Sequence, residues 1–308
     1  MAMVSSIATA AFADTYYVDY GDIKVDGSSV SYHDASGNSQ TNEHDENIII
    51  TNSDKEKSTS NTVTINASEG STAKVTLDDV NIDASSTGKA SLTVKGTGDT
   101  EIELKGDNTL VSGSGHAGLE KSDDYRSEPS QNGSLTINAE DTNSSLTATG
   151  GASYRSGSNI TINNGTIVAN GGAGAAGIGG GSASASTDSI NNGSNITITG
   201  GNVTATGGSN SGKGRVNCGA GIGGGAFGEG NNIKITGGTV NATGGEGNDS
   251  YAFGGAGIGG GYNRGANDIT ISGDDTHVTA TGKDGGAGIG GGFAGTATDI
   301  TISGGTVD

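Results

Sequence analysis

The chain has 308 residues, 60 of them Gly, with one Pro, one Cys, no Trp and a net charge of −19. Hydrophobic residues at 30% and aromatics at 4% are too few for a thick round core, so a thin core repeated along an axis is the ordered alternative to disorder. The negative charge sets aside nucleic acid and anionic lipid as partners, and acidic polysaccharide as well unless a divalent cation bridges the two.

In chain order, residues 2–13 (AMVSSIATAAFA) are small and apolar and end on an A-x-A cleavage pattern before Asp14. Residues 1–13 are therefore expected to be a truncated signal-peptide remnant, with the natural start upstream and the protein secreted, extracellular or wall-associated. No other run is long and apolar enough to span a bilayer, so membrane insertion is not expected. The lone Cys218 cannot form an internal disulfide and reads as a tolerated small side chain. Residues 14–47, with Tyr16 to Tyr20 and Ile23 to Val25, are expected to be an irregular lead-in that caps an exposed sheet edge.

Short alternating runs follow from Ile48: Val63-Thr-Ile65, Val75-Thr-Leu77, Leu92-Thr-Val94 and Ile102-Glu-Leu104. Alternation of apolar and polar residues is strand periodicity. Residues 48–150 are read as irregular rungs, with a protruding loop from Asp123 to Asn132 around Pro129. From 151 to 308 the pattern becomes a repeat. AGIGGG recurs with its isoleucine at Ile178, Ile222, Ile258 and Ile289, spaced by 44, 36 and 31 residues. Each copy is preceded by a run of the type NITI-x-GG-x-VxATGG, whose first isoleucine stands at 160, 196, 233, 269 and 300; the fifth run is cut short at Asp308. Spacing varies only around AGIGGG, which places the loops there.

Each unit thus carries three short strands separated by Gly-Gly turns. The predicted fold is all-β: a right-handed parallel β-helix, one continuous solenoid with three short strands per turn of 31–44 residues. A single turn cannot bury its own apolar face, so stacked neighbours must do so. Two Ile, Val and Ala, then Ala and Ile are expected to point inward, with Thr, Lys, Asn and Gly outward. The glycines of AGIGGG either let adjacent turns pack closely or leave a flat face that could pair two chains.

The chemistry-bearing motifs are few. G-x-G-x-x-G matches inside GAGIGGG recur in every repeat with no helix behind them, which excludes a dinucleotide site. Gly207 to Lys213 lacks both the magnesium-binding Ser/Thr and the helix of a phosphate loop, and GGAGIGG lacks the Asp of the calcium-binding nonapeptide. His33, His44, His116 and His277 make no metal spacing. The paired carboxylates Asp78-Asp79, Asp123-Asp124 and Asp274-Asp275 lie in different repeats with no matching column of Lys or Arg, so no enzyme is expected. Two columns stand out. Asn159, Asn195, Asn232, Asp268 and Asp299 precede the first strand of successive turns and form a rung-to-rung structural ladder; the carboxylates Asp268 and Asp299 are alternatively a calcium-lined edge. Phe227, Tyr262 and Phe293 follow the GGG of three turns and form either a sugar-stacking platform, which Tyr154, Tyr251 and Phe253 in nearby loops would widen, or a plug that closes the loops.

The string HAGLEK, then LTI with LTATGG, then reiterated NITI-x-GG-x-VxATGG with GAGIGGG, resembles a family of secreted or wall-associated carbohydrate-binding-domain-containing proteins of gut Gram-positive bacteria. The resemblance covers most of the chain from Asp14. It implies a pectate-lyase-like β-helix and a non-catalytic surface module for polysaccharide of plant cell wall, host or bacterial origin. Calcium is the one cofactor it suggests. It fixes no ligand residue in the repeats. A structural stalk or protein-binding adhesin is the alternative, and a polysaccharide lyase or hydrolase a third.

Overall fold

The computed structural model describes residues 14–114, 116–121, 132–150, 157–182, 192–209, 216–246 and 252–308. The signal-like stretch 1–13 and most of the loop expected at Asp123 to Asn132 lie outside the described residues. The fold is the right-handed parallel β-helix expected, and among the described residues no helix is long and apolar enough to cross a membrane.

Three faces run along the axis. The first face holds ten parallel strands, from Thr15–Tyr17 to Ala297–Ile302, and the second holds eight, from Asn81–Asp83 to Thr306–Val307. The third face is built in two pieces. Near the N-terminus it contains Ile23–Asp26, Val63–Ala67, Leu92–Gly96 and Leu119–Lys121; further on it contains the two-residue strands Ile178–Gly179, Ile222–Gly223, Ile258–Gly259 and Ile289–Gly290. The register is continuous along the first face. Val75 pairs with Ile102, then Ile137, Ile162, Ile198, Ile235, Ile271 and Ile302.

The alternation read from the sequence drives this arrangement. Ile196, Ile198, Val203, Ala205, Ala220 and Ile222 are all 0% exposed, so each corner of the triangle contributes to one narrow core. Ile289, on the last third-face strand, is only partly buried. The isoleucines of AGIGGG stack on one another in the expected order. Turn length is wider in range than expected: Ile137 to Ile162 takes 25 residues and Ile198 to Ile235 takes 37. Short turns are those without the glycine-rich insert.

The solenoid also starts earlier than Ile48. Thr15–Tyr17 pairs with Ile49 to Thr51, and Ile23–Asp26 pairs with Val63 to Asn66, so part of the stretch read as a cap already belongs to the first and third faces. The hairpin Ser29–His33 and Ser39–Asn42 is added to it antiparallel. Tyr16 is 2% exposed and donates its hydroxyl to Asp45 at 2.8 Å, which pins the return of the chain.

The glycines of the third face are needed for close approach. Gly179, Gly223, Gly259 and Gly290 have φ from 125° to 137°, and a Cβ on Gly223 would run into the carbonyl of Gly259 one turn above. Both facts exclude a side chain there. Gly224 N donates to Gly259 O at 2.9 Å, so backbone lies directly on backbone. Of the two roles read for these glycines, the geometry supplies the packing one.

Candidate functional site

The aromatic column gathers at the corner where the third face returns to the first. In the sequence, Phe227 stands five residues past its isoleucine and Tyr262 and Phe293 four, so the rings leave the chain at different points yet converge. Phe227 sits in the left-handed region with φ 63°, as do Asn263 and Ala294 at the same offset in later turns. Phe227 N donates to Tyr262 O at 3.0 Å and Asn263 N to Phe293 O at 2.9 Å, which ties the three loops into a stack.

A fourth ring completes the cluster. Phe253 comes from the two-residue strand Ala252–Phe253, which pairs with Val216–Asn217. Its ring stacks on Tyr262 (centroids 5.0 Å, interplanar 22°) and tilts against Phe293 (4.6 Å, 45°), while Phe227 meets Tyr262 edge-on at 5.1 Å. All four side chains are half-buried. Part of each ring surface is thus spent on another ring, and the rest faces solvent. The sequence marks Phe253 only as a loop aromatic near the column, because it lies in an insert outside the repeat. Tyr154 and Tyr251, which could widen such a surface, lie outside the described residues.

The Asn/Asp column is a directional ladder. Asn159, Asn195, Asn232, Asp268 and Asp299 all have φ between 52° and 57° and drop out of the strand pairing as one-residue bulges. Asn and Asp tolerate this conformation better than other L-residues. Asn159 Nδ2 donates to Asn132 O at 3.0 Å, Asn195 Nδ2 to Asn159 Oδ1 at 2.8 Å and Asn232 Nδ2 to Asn195 Oδ1 at 2.7 Å. Each amide donates toward the N-terminal turn. At Asp268 the donor runs out, since an ionised carboxylate only accepts. Asp268 and Asp299 are exposed and make no hydrogen bond along the column. Their oxygens number at most four where calcium takes six to eight. Among the described residues no three Asp, Glu, His or Cys side chains come close enough to hold a metal. The pair therefore does not build a calcium cage by itself.

Two further features were not read from the sequence. Glu101 and Glu103 alternate outward on the first face in a shallow groove of about 350 Å3 shared with Glu46, Lys74 and Asn138. Lys74 Nζ lies 3.2 Å from Glu101 Oε2, while burial, and then Glu140, holds the Glu103 carboxyl above the usual carboxylate range. At the junction between the two parts of the third face, Lys121 pairs in register with inward-facing Val94 and is 7% exposed, beside an apolar cavity of about 80 Å3 lined by Leu135, Ile137 and Ile178. His116 Nδ1 and Glu120 Oε2 are 2.7 Å apart at the same junction. HAGLEK stands beside the first AGIGGG along the third face, with charged groups where the later turns have glycine.

A family model described as "Beta helix repeat" matches residues 160–182, 196–226, 233–262 and 269–293. Each segment runs from the first-face isoleucine through the GGG of the third face or just beyond, which is most of one structural turn. No curated protein and no solved structure gave a significant match. Periodicity, strand register and the repeat match agree that the chain is a β-helix repeat protein.

Proposed function

We propose that the chain is a non-catalytic extracellular module that binds polysaccharide along its aromatic edge. The observation that carries this reading is the gathering of Phe227, Phe253, Phe293 and Tyr262, half-exposed, at one corner of a solenoid with only 4% aromatic residues. Rings with a solvent-facing side pack on the C–H faces of pyranoses. The net charge of −19 favours a neutral polymer, or an acidic one bridged by calcium at exposed carboxylates such as Asp268 and Asp299. The small apolar stretch before Asp14 supports secretion.

A glycan array with and without chelator tests it. Saturable binding is expected, reduced about tenfold or more when Phe227, Tyr262 and Phe293 are changed to alanine together, consistent with loss of ~1.4 kcal/mol or more of ring–sugar contact. No binding across the array, or binding indifferent to that triple change, overturns the reading. A stalk or protein-binding adhesin is the second reading, favoured by the flat stacking of Phe253 on Tyr262, since those ring faces are already occupied. On that reading the triple variant melts earlier and no glycan binds.

A further inference from the structure

The second face differs from the first in what its side chains do. Register sets Thr206, Thr243 and Thr281 in one outward column and Thr204, Asn241 and Thr279 in the next. No Asp, Glu, Lys or Arg occurs in the strands at 145–149, 166–170, 202–206, 239–243 and 277–281. The later first-face strands carry Lys234, Asp268 and Asp299, so over these turns the second face is the less charged of the two. Apart from His277 the outward groups are short, so the face is flat.

In the later turns their hydrogen-bonding capacity is also unspent, whereas earlier on this face Asn170 Nδ2 donates to Thr149 Oγ1 at 3.4 Å and Ser145 Oγ to Asp107 Oδ1 at 2.7 Å. On the first face, outward groups satisfy one another: Asn163 donates to Asn138, Thr199 to Asn163, Asn267 to Asn231 and Thr298 to Asn267. None of the six second-face residues named above makes a side-chain hydrogen bond within the described part of the protein. Their donors and acceptors form a grid of about 4.8 Å between turns and about 6.6 Å along each strand. A soluble chain meets such a grid along one line only. An ordered solid that presents neutral hydroxyls in a flat repeating layer meets all of it, and each contact adds without a fresh entropy cost of positioning.

We propose that the second face docks on the surface of an ordered neutral polysaccharide. Neutrality is argued from the missing charges, order from the two-dimensional grid, and flatness from the short side chains. The proposal rests on the polysaccharide-binding reading but uses a different face from the aromatic corner, which lies between the third and first faces.

The test uses the whole chain with two probes: microcrystalline cellulose and chitin powder for the solid, and soluble cello- and chito-hexasaccharide for the single chain. Thr204→Lys with Asn241→Lys places two ammonium groups on the second face without touching the core; Thr197→Lys on the first face, in register with Lys234, is the control, and unchanged melting verifies the fold of each. The wild type and the control should be retained on one of the solids. The double variant should bind it about tenfold or more weakly, because a charge buried against a neutral surface loses its hydration, and hexasaccharide binding should not change. Equal retention of the double variant and the wild type overturns the docking face and leaves the aromatic edge standing. Hexasaccharide binding without retention on either solid does the same. Retention on a solid without hexasaccharide binding upholds the docking face and removes the aromatic edge. Retention on neither solid, with inhibition of ice recrystallisation instead, overturns the proposal in favour of an ice lattice.

Discussion

Replacing Asp268 by Asn should stabilise the protein, because it extends a ladder that runs out of donors. Asn232 Nδ2 already donates downward to Asn195 Oδ1, leaving its own Oδ1 for the turn above, where Asp268 occupies the matching bulge with φ 56°. An amide at 268 supplies the missing donor, worth about 0.5–1 kcal/mol at an exposed site. It also removes one of two carboxylates on adjacent turns. At a separation of about 5 Å in water their repulsion is about 0.8 kcal/mol, less with salt. The sum is about 1.3–1.8 kcal/mol, or a rise in Tm of roughly 2–3 °C if the solenoid melts as one unit. Far-UV circular dichroism melts at low and high salt would separate the two parts, since only the repulsion is screened. Asn195→Asp is the mirror experiment. It deletes the donor to Asn159 and should lower Tm. A neutral or lower Tm for Asp268→Asn would refute the directional-ladder argument. If millimolar calcium raised the Tm of the wild type and not of Asp268→Asn, the pair would instead be a cation-binding edge.

Three further outcomes follow from the geometry. Gly223→Ala should cost about 3 kcal/mol or more in chemical denaturation, since φ is 128° and the new methyl group meets the Gly259 carbonyl; a loss under about 1 kcal/mol would mean the turns can spread apart. Asn52→Ala should cost about 2–4 kcal/mol, because this 2% exposed amide donates to Lys57 O and Asn81 O at 3.0 Å and accepts from Asn81 N at 2.9 Å, leaving buried backbone groups unpaired when it is removed. Stability should fall in acid. The backbone N–H of Asn38 and the Gln40 amide hold Asp34 down at about 2, Ser134 lowers Asp99 and Ser144 lowers Asp141. These carboxyls titrate below their unfolded values, so their contribution is full above about pH 4 and is lost as pH drops toward 2, with Glu103 opposing them in sign. A Tm that stayed level down to pH 2 would contradict this.

The fold was legible because the repeat states its own geometry. AGIGGG and NITI recur with the isoleucines at matching offsets, and strand alternation assigns their side chains inward. The first turn at Thr15–Tyr17 was harder to see, since its partner strand is 34 residues away and shares no motif with it. The aromatic corner was legible as a column for the three rings that follow GGG, and for Phe253 only as an aromatic in a neighbouring loop. Phe253 sits in a variable insert, where periodicity gives no information. The Asn/Asp column was visible as a list of residue types, but its direction was not: which atom donates depends on a left-handed backbone that letters alone do not report. Glu101 and Glu103 were hidden for a different reason. They belong to one strand rather than to corresponding positions of several turns, so a search for carboxylates across repeats passes over them.

The bare third face also limits how a protein of this kind can acquire new specificity. Where one main chain rests on the next, almost any point substitution is forbidden, so that wall is closed to chemical variation. Novelty has to arrive as inserted residues before or after it. The intervals of 44, 36 and 31 between successive isoleucines there are what such a rule leaves behind: an invariant spine, with every turn free to hang a different length of chain from its corners.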